Sequence, residues 1–269
     1  MKNLKGKLAL VTGAAMGMGR SLSEKLLQEG CRVALVDVNA GQLSRTWKDL
    51  SATGECKWYV CDVSKRTAVY GMAKKVRKEM GGVDILVNNA GIVRAHELMD
   101  LADDDIEKTI SVNLTAQFWT CKAFLPGMIE KGEGHVVNFA SAGGILAIPN
   151  LTAYCASKFG VVGFSDALRQ EMRKRRTGVM VTYVCPNTVN TGMFEGSKMV
   201  AGTKMLAAED VTSKVIGAIK KDQAMVAVPN VSVKLLTPLT KLILPIKVMD
   251  WLNALLGMAD ANDSWRGRG

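Results

Sequence analysis

Tyr154 and Lys158 lie four residues apart in the run Tyr154-Cys155-Ala156-Ser157-Lys158. Residues i and i+4 share one face of a helix, so an ammonium there can sit beneath a phenol and lower the proton affinity of its oxygen. A phenol tuned in this way is a usable acid and base near neutral pH. Spacing alone does not establish this chemistry, because Tyr70 and Lys74 repeat it with nothing catalytic around them. What separates the two pairs is the chain before the second one. Ser141 stands 13 residues ahead of Tyr154, where a strand is expected to end. Its hydroxyl can hold a carbonyl or alcohol oxygen while the phenol exchanges a proton, with no covalent intermediate. No His or acid at triad spacing would activate Ser141 as a nucleophile, and His135, at a strand start, reads as structural.

The elements that would position these groups follow from the hydrophobic pattern. Short β-branched runs alternate with longer amphipathic stretches, the pattern of βαβ units around a parallel sheet. Strands are expected at Leu8 to Thr12, Arg32 to Asp37, Lys57 to Val60, Asp84 to Val87, Val136 to Phe139, Met180 to Val184 and Met225 to Val228. Helices are expected near 17–29, 40–51, 65–80, 103–130, 152–175 and 208–221. Right-handed crossovers distribute them over both faces, giving an α/β fold with one Rossmann-type doubly wound sheet of about seven strands. Residues 1–228 form this domain, and residues 229–269 form an extension packed on the same domain, on an oligomer or on a membrane surface.

Between the first strand and the first helix lies Thr12-Gly13-Ala14-Ala15-Met16-Gly17-Met18-Gly19. Glycines permit a tight turn and close backbone approach, and the N-terminal N–H groups of the helix offer partial positive charge to a pyrophosphate. Asp37 ends the second strand, 18 residues after Gly19. An acid there accepts hydrogen bonds from ribose hydroxyls and repels a 2′-phosphate, which favours NAD over NADP. Neither Met16 nor Val38 supplies a cation for such a phosphate, while Arg20 is a mild signal the other way.

The GxxxGxG spacing, with Cys61-Asp62-Val63-Ser64, Asn88-Asn89-Ala90-Gly91, Ser111-Val112-Asn113, Ala140-Ser141-Ala142-Gly143 and Tyr154 to Lys158, resembles the short-chain dehydrogenase/reductase family over roughly residues 5–195. The resemblance implies an oxidoreductase in which Asn113, Ser141, Tyr154 and Lys158 are catalytic, Asn113 fixing a water that relays the proton. It implies cofactor contacts at Gly13, Met16, Gly17, Met18 and Gly19, at Asp37, and at Asp62 and Val63 beside the adenine. Asn89, Ala90, Gly91, Tyr154, Lys158, Pro186 and Thr191 complete the set. Asn88 and Asn89 equally suit a second role, holding the central strands together. Relatives usually carry Pro-Gly where this chain has Pro186-Asn187, and Asn tolerates left-handed dihedrals, so the turn is expected to survive. The tail from Ala227 to Trp251 is similar to the retinol and 17β-hydroxysteroid dehydrogenase-like branch.

Composition bounds the remaining readings. Apolar residues are 48% and charged residues 22%, ordinary for a folded globular chain, and six scattered cysteines without a CxxC pair point to free thiols in a reducing cytoplasm. No metal-ligand spacing is visible. The formal charge of +10 gathers in Lys74, Lys75, Arg77 and Lys78, in Arg173 to Arg176, and in Arg266 and Arg268. No aromatic-basic recognition module accompanies it, which argues against nucleic acid. Pro229 to Gly257 is apolar but cut by Pro238 and Pro245 and carries Lys234, Lys241 and Lys247, so it lacks the roughly 18 apolar residues of a membrane span. Two readings stay open for it: turns capping a substrate cleft or subunit contact, or shallow insertion of residues 231–257 into a membrane surface. Asn187 to Leu206, with Met193, Phe194, Met199, Val200 and Met205, is expected to wall a pocket for a hydrophobic alcohol or ketone. The apolar outer faces of helices 103–130 and 152–175 lead to the expectation of a homodimer or homotetramer. A silent NAD(P)-binding scaffold or sensor and an NADP-dependent carbonyl reductase are the competing functions.

Overall fold

Aliphatic runs buried on both sides pair into a parallel sheet whose alternate residues serve two separate cores. The computed structural model describes residues 1–201, 203–230 and 232–267. Arg268, counted in the basic excess, and Val231, at the start of the segment expected to meet lipid, lie outside the described residues. The strands are β1 (Leu8–Thr12), β2 (Arg32–Asp37), β3 (Cys56–Val60), β4 (Ile85–Asn88), β5 (Gly134–Phe139), β6 (Val179–Pro186) and β7 (Met225–Val228). Each lies within two residues of its expected place. They form one all-parallel sheet in the order β3-β2-β1-β4-β5-β6-β7.

Period-two alternation sorts the side chains. Ala9 and Val11 of β1 join Val33 and Leu35 of β2 beneath α1 (Gly17–Gln28), α2 (Ala40–Leu50) and α7 (Ala208–Lys221). Leu8, Leu10, Ala34 and Val36 face the opposite way, toward α3 (Arg66–Met80), α5 (Ala116–Lys131) and α6 (Thr152–Lys174). The strand order reverses between β1 and β4. A crevice therefore opens at the carboxyl ends of these strands, and the loops that follow them carry the glycine-rich and Asn-Asn-Ala-Gly runs.

The single helix expected over 103–130 is interrupted. α4 (Asp103–Ile110) passes into a π-helical turn at Ser111–Thr115 before α5 begins. Inside this wide turn Asn113 is fully buried, with Oδ1 accepting from Ile92 N at 2.8 Å and Nδ2 donating to Ile92 O at 2.9 Å. The side chain thus binds a neighbouring loop as a strand would, and the extra residue in the turn accommodates it. Beyond β7 the chain enters a second π turn at Ser232–Leu236, then α8 (Thr237–Ile243) and α9 (Ile246–Leu255). No described helix is long and apolar enough to cross a membrane.

A buried polar network fixes the sheet centre. Asn88 Nδ2 donates to Asn138 Oδ1 at 2.9 Å, Thr120 Oγ1 donates to Asn88 Oδ1 at 2.7 Å, and Asn138 Nδ2 donates to Ser165 Oγ at 3.0 Å. One amide thus joins β4 to β5, α5 and, through Asn138, α6. Replacing it strands buried partners without water. Asn88→Ala is expected to cost about 1–3 kcal/mol, read as a lower urea midpoint with an unchanged slope.

Candidate active site

The loops after β1 and β4 are stitched together by one threonine and one asparagine. Thr12 Oγ1 accepts from the N–H groups of Asn89 at 3.0 Å and Ala90 at 3.1 Å. Asn89 Nδ2 returns bonds to Thr12 O at 2.9 Å and Gly13 O at 3.1 Å. Both asparagines therefore hold the strands, while Asn89 also borders the cavity described below. At Gly19 the backbones come so close that a Cβ would lie 2.0 Å from Gly13 O. Only glycine fits this crossing.

The N-terminus of α1 receives no side-chain cap from Met16 and has no acid in its first turn. Its partial positive charge is thus directed at the crevice. Asp37 sits at the end of β2, where Oδ2 accepts from Ala15 N at 3.0 Å and Oδ1 from Asn39 N at 3.0 Å. It braces the glycine-rich loop from below. Asp62, after β3, accepts from Ser64 N at 3.1 Å and Ser64 Oγ at 2.6 Å, and the adjacent Val63 is buried in the sheet core. Uncapped N–H groups, a cradle with no room for a Cβ and a carboxylate at the next strand end fit a dinucleotide's phosphates and ribose.

On the other side of the crevice, Ser141 heads a single 3-10 turn, Ala142–Gly144, and its Oγ accepts from Gly143 N at 3.1 Å. That turn lies directly on α6, since a Cβ on Gly144 would meet Lys158 O at 2.6 Å. The close approach brings Ser141 to Tyr154, with which it shares a side-chain hydrogen bond. Lys158 is 4% exposed, donates to Phe139 O at 2.8 Å and sits 5.6 Å from the centroid of the Tyr154 ring. Lys74, in the pair of identical spacing, is exposed to solvent. A Cβ on Gly91 would lie 3.3 Å from Asn113 Oδ1 and 3.6 Å from Lys158 Nζ, so these residues also converge. Asn113 acts behind the site, its Nδ2 reaching Ser157 Oγ at 3.1 Å and its carbonyl accepting from Gln117 at 2.9 Å.

The electrostatics differ from the simple expectation that Lys158 lowers the phenol. Burial dominates and pushes Tyr154 up to about 12, the bond to Ser141 acting in the opposite direction. Burial likewise brings Lys158 down to about 8. Taking a charge out of water disfavours the ionised form of each, and burial is the largest cause of both shifts.

Tyr154, Ser141 and Lys158 lie at one end of a cavity of about 360 Å³. Met18, Asn89, Gly91, Pro186 and Thr191 border the same space, and a Cβ on Gly17 would meet the Thr191 methyl at 3.1 Å. Asp37, Asp62 and Val63 stand apart, at the ends of β2 and β3. Ile145, Leu146, Ile148 and Leu151 make one apolar wall; Met193, Phe194 and Val200 make another. Of the expected wall residues, Met199 and Met205 fall outside it, 37% and 45% exposed. Asn187 borders the cavity, but the turn needs no left-handed residue there. Asn187 lacks a positive φ, and its Oδ1 instead accepts from Thr188 N at 2.9 Å.

The sequence reading overlooked the chain end. Trp265 Nε1 donates to Met193 O at 3.0 Å, Ser197 Oγ to Asn262 Oδ1 at 3.0 Å, Lys198 N to Ala261 O at 2.7 Å and Arg266 N to Glu195 O at 2.8 Å. These bonds strap residues 193–198 in place. Phe194, held by them, stands edge-on to Tyr154 at 5.7 Å. The strap is irregular, so no periodicity announces it; a lone Trp in a polar terminal run was the available signal. Trp265→Ala is expected to raise amide exchange at residues 193–198 at least tenfold, measured by hydrogen–deuterium exchange, with β1 to β6 unaffected.

Comparison with known proteins agrees with this geometry. Residues 7–199 match the family model described as short chain dehydrogenase. Estradiol 17-beta-dehydrogenase 11 of Macaca fascicularis is 40% identical over 90% of this chain and 81% of its own. Epidermal retinol dehydrogenase 2 of Mus musculus is 37% identical over 99% and 87%. Among solved structures, a short chain dehydrogenase/reductase from Burkholderia phymatum in complex with NAD superposes with a TM-score of 0.82 at 27% identity, covering 94% of this chain and 97% of that one. A metagenomic short-chain oxidoreductase in complex with NADP gives 0.72 at 29%, covering 84% and 96%. The chain belongs to the short-chain dehydrogenase/reductase family, among relatives named as retinol and 17β-hydroxysteroid dehydrogenases.

Proposed function

We propose that the protein is an NAD-dependent oxidoreductase that interconverts a hydrophobic alcohol and its carbonyl compound, with Tyr154 as general acid and base. The observation that carries this reading is the junction of Ser141, Tyr154 and Lys158 at the inner end of an apolar cavity beside the glycine-rich cradle. The bound nicotinamide supplies a hydride acceptor and, in its oxidised form, a positive charge. Gly13, Met16, Gly17, Met18 and Gly19 would receive the phosphates, Asp37 would take a ribose, Asp62 and Val63 would flank the adenine, and Asn89, Ala90, Gly91, Pro186 and Thr191 would supply the remaining contacts.

In oxidation, Tyr154 as phenolate takes the hydroxyl proton of the alcohol while Ser141 holds the oxygen. In reduction, the neutral phenol returns a proton to the forming alkoxide. Lys158 stabilises the phenolate and bonds the nicotinamide ribose, and Asn113 sets the path along which the proton leaves. A phenol near 12 is protonated at neutral pH, so the phenolate is scarce and the oxidative direction gains as pH rises. An added positive charge in this desolvated site lowers the phenol and brings that gain toward neutrality.

Several features support NAD over NADP. Asp37 holds the position that repels a 2′-phosphate, Val38 beside it carries no charge, and Arg20 is engaged by Asp49 at 3.0 Å. The NADP-bound structural neighbour makes the other coenzyme the specific alternative. The apolar walls and the names of the relatives support a steroid, retinoid, long-chain or alicyclic substrate. The apolar outer face of α5 and α6, where Phe118 stacks on Phe164 at 4.3 Å while 42% exposed, supports a homo-oligomer.

Tyr154→Phe is expected to lower turnover of a hydrophobic secondary alcohol by at least about 10²-fold while NADH binding, followed by nicotinamide fluorescence, stays within a factor of two. Persistent turnover removes the proposed acid and base, and binding without wild-type turnover leaves a silent scaffold. Asp37→Ala is expected to shrink the ratio of NAD to NADP efficiencies at least tenfold. A wild-type protein that prefers NADP reverses the coenzyme assignment.

A further inference from the structure

α8 and α9 have no buried residue, yet both are rich in large apolar side chains. Of the nineteen large apolar residues that are exposed among the described residues, ten fall between Leu235 and Leu256. Leu242 is 84% exposed, Ile246 79%, Leu255 66% and Trp251 62%. A surface helix normally shows one apolar stripe and one polar face. α9 departs from this because its two sides have different neighbours. Met249, Leu252, Asn253 and Leu256, spaced at i, i+3, i+4 and i+7, border the cavity that ends at Tyr154. Ile246, Trp251 and Leu255 border nothing in that cavity and face outward. Leu236, Thr237 and Thr240 make the corresponding inner side around α8. These helices are thus a thin wall with the catalytic cavity on one side and an unpartnered apolar surface on the other.

We infer that the outer face of α8 and α9 docks on an anionic bilayer and that the cavity draws its substrate from that bilayer between these helices. Charge selects this occupant. Lys234 and Lys247 are exposed and take no part in the ion pairs formed by lysines among the described residues, and Asp250 is the only acid from Pro229 to Gly257. A second copy seated on this face would bring together two patches that each carry three lysines and one acid, whereas anionic headgroups neutralise them. The apolar side chains then enter the acyl boundary while the lysines stay at headgroup level. Lys241 fixes the height of α8 over the fold, its Nζ donating to Ile145 O at 2.8 Å and lying 5.0 Å from the Phe159 ring centroid. Docking does not depend on the dehydrogenase reading; the delivery of an alcohol does.

The test uses the full chain and needs no turnover for its first arm. Sedimentation with vesicles of phosphatidylcholine and phosphatidylserine is expected to pull down at least ten times more protein than phosphatidylcholine alone. Leu242→Ser/Ile246→Ser/Trp251→Ser is expected to lose this partition, and Lys234→Glu/Lys247→Glu to lower it at least tenfold, consistent with about fivefold per lysine. None of these residues borders the cavity, so turnover of a water-soluble alcohol is expected to be retained, while turnover of a long-chain alcohol presented in the vesicles falls at least tenfold. Wild-type protein that stays in the supernatant with both vesicle types overturns the docking. So does analytical ultracentrifugation showing a wild-type oligomer that the triple substitution dissociates, which would assign the face to a second copy. Vesicle binding with unchanged turnover of the embedded alcohol in the triple variant overturns the delivery route. Failure of every alcohol, soluble or embedded, with vesicle binding intact, instead condemns the dehydrogenase reading.

Discussion

Removal of Tyr154 and Lys158 from water is the constraint on which the site depends. A buried phenol resists losing its proton and a buried amine holds its own less tightly, so at neutral pH a neutral phenol faces an amine, near 8, that still carries most of its charge. A further positive charge beside the pair favours the phenolate and so moves the phenol downward. On the reading proposed above, the oxidised nicotinamide contributes that charge and the alcohol contributes the proton. The protein's part is structural. It keeps both groups dry and puts a hydroxyl at the phenol oxygen.

Keeping them dry is the work of backbone crossings more than of side-chain pairing. The turn after β5 can lie on α6 only because Gly144 has no side chain, and the loop after β1 can cross α1 only because Gly19 has none. The first contact brings Ser141 to Tyr154, and the second shapes the cradle beside them. Asn89 then ties the loop after β4 to the cradle by bonding the carbonyls of Thr12 and Gly13. Each crossing is local, but together they bring the cradle and the phenol to the border of one cavity.

The fold was legible because a parallel sheet writes its inner strands as aliphatic runs, and all seven strands, the half-exposed edge strand β3 included, are found within two residues of expectation. The convergence of Ser141, Tyr154, Lys158 and Asn113 was legible from motif order. Less visible was anything decided by tertiary contact. The π turn around Asn113 answers to Ile92, 21 residues away, and no helical periodicity encodes it. The phenol was expected to be lowered by its cation, because spacing along a helix records proximity but not burial. Asn187 suits a left-handed turn by residue type, yet its side chain instead secures the next N–H. Trp265 was missed altogether, since a strap without regular structure leaves no repeat to read.

The strap and α8 join the tail to the chemistry from two directions. Trp265 holds Met193, and the adjoining Phe194 presses its edge on the Tyr154 ring. Lys241 reaches Ile145, one residue beyond the turn that Ser141 begins. The tail thus adjoins the phenol through one hydrogen bond and one ring contact, and the turn headed by Ser141 through one hydrogen bond. α8 and α9 bury no residue of their own, and they are tied to the fold by Lys241 to Ile145 O and by Ala201 N to Leu256 O at 3.0 Å. The same two helices present Met249, Leu252 and Thr240 to the cavity and Leu242, Ile246 and Trp251 to the outside, so the inner wall of the cavity and the outer apolar face are opposite sides of one thin layer.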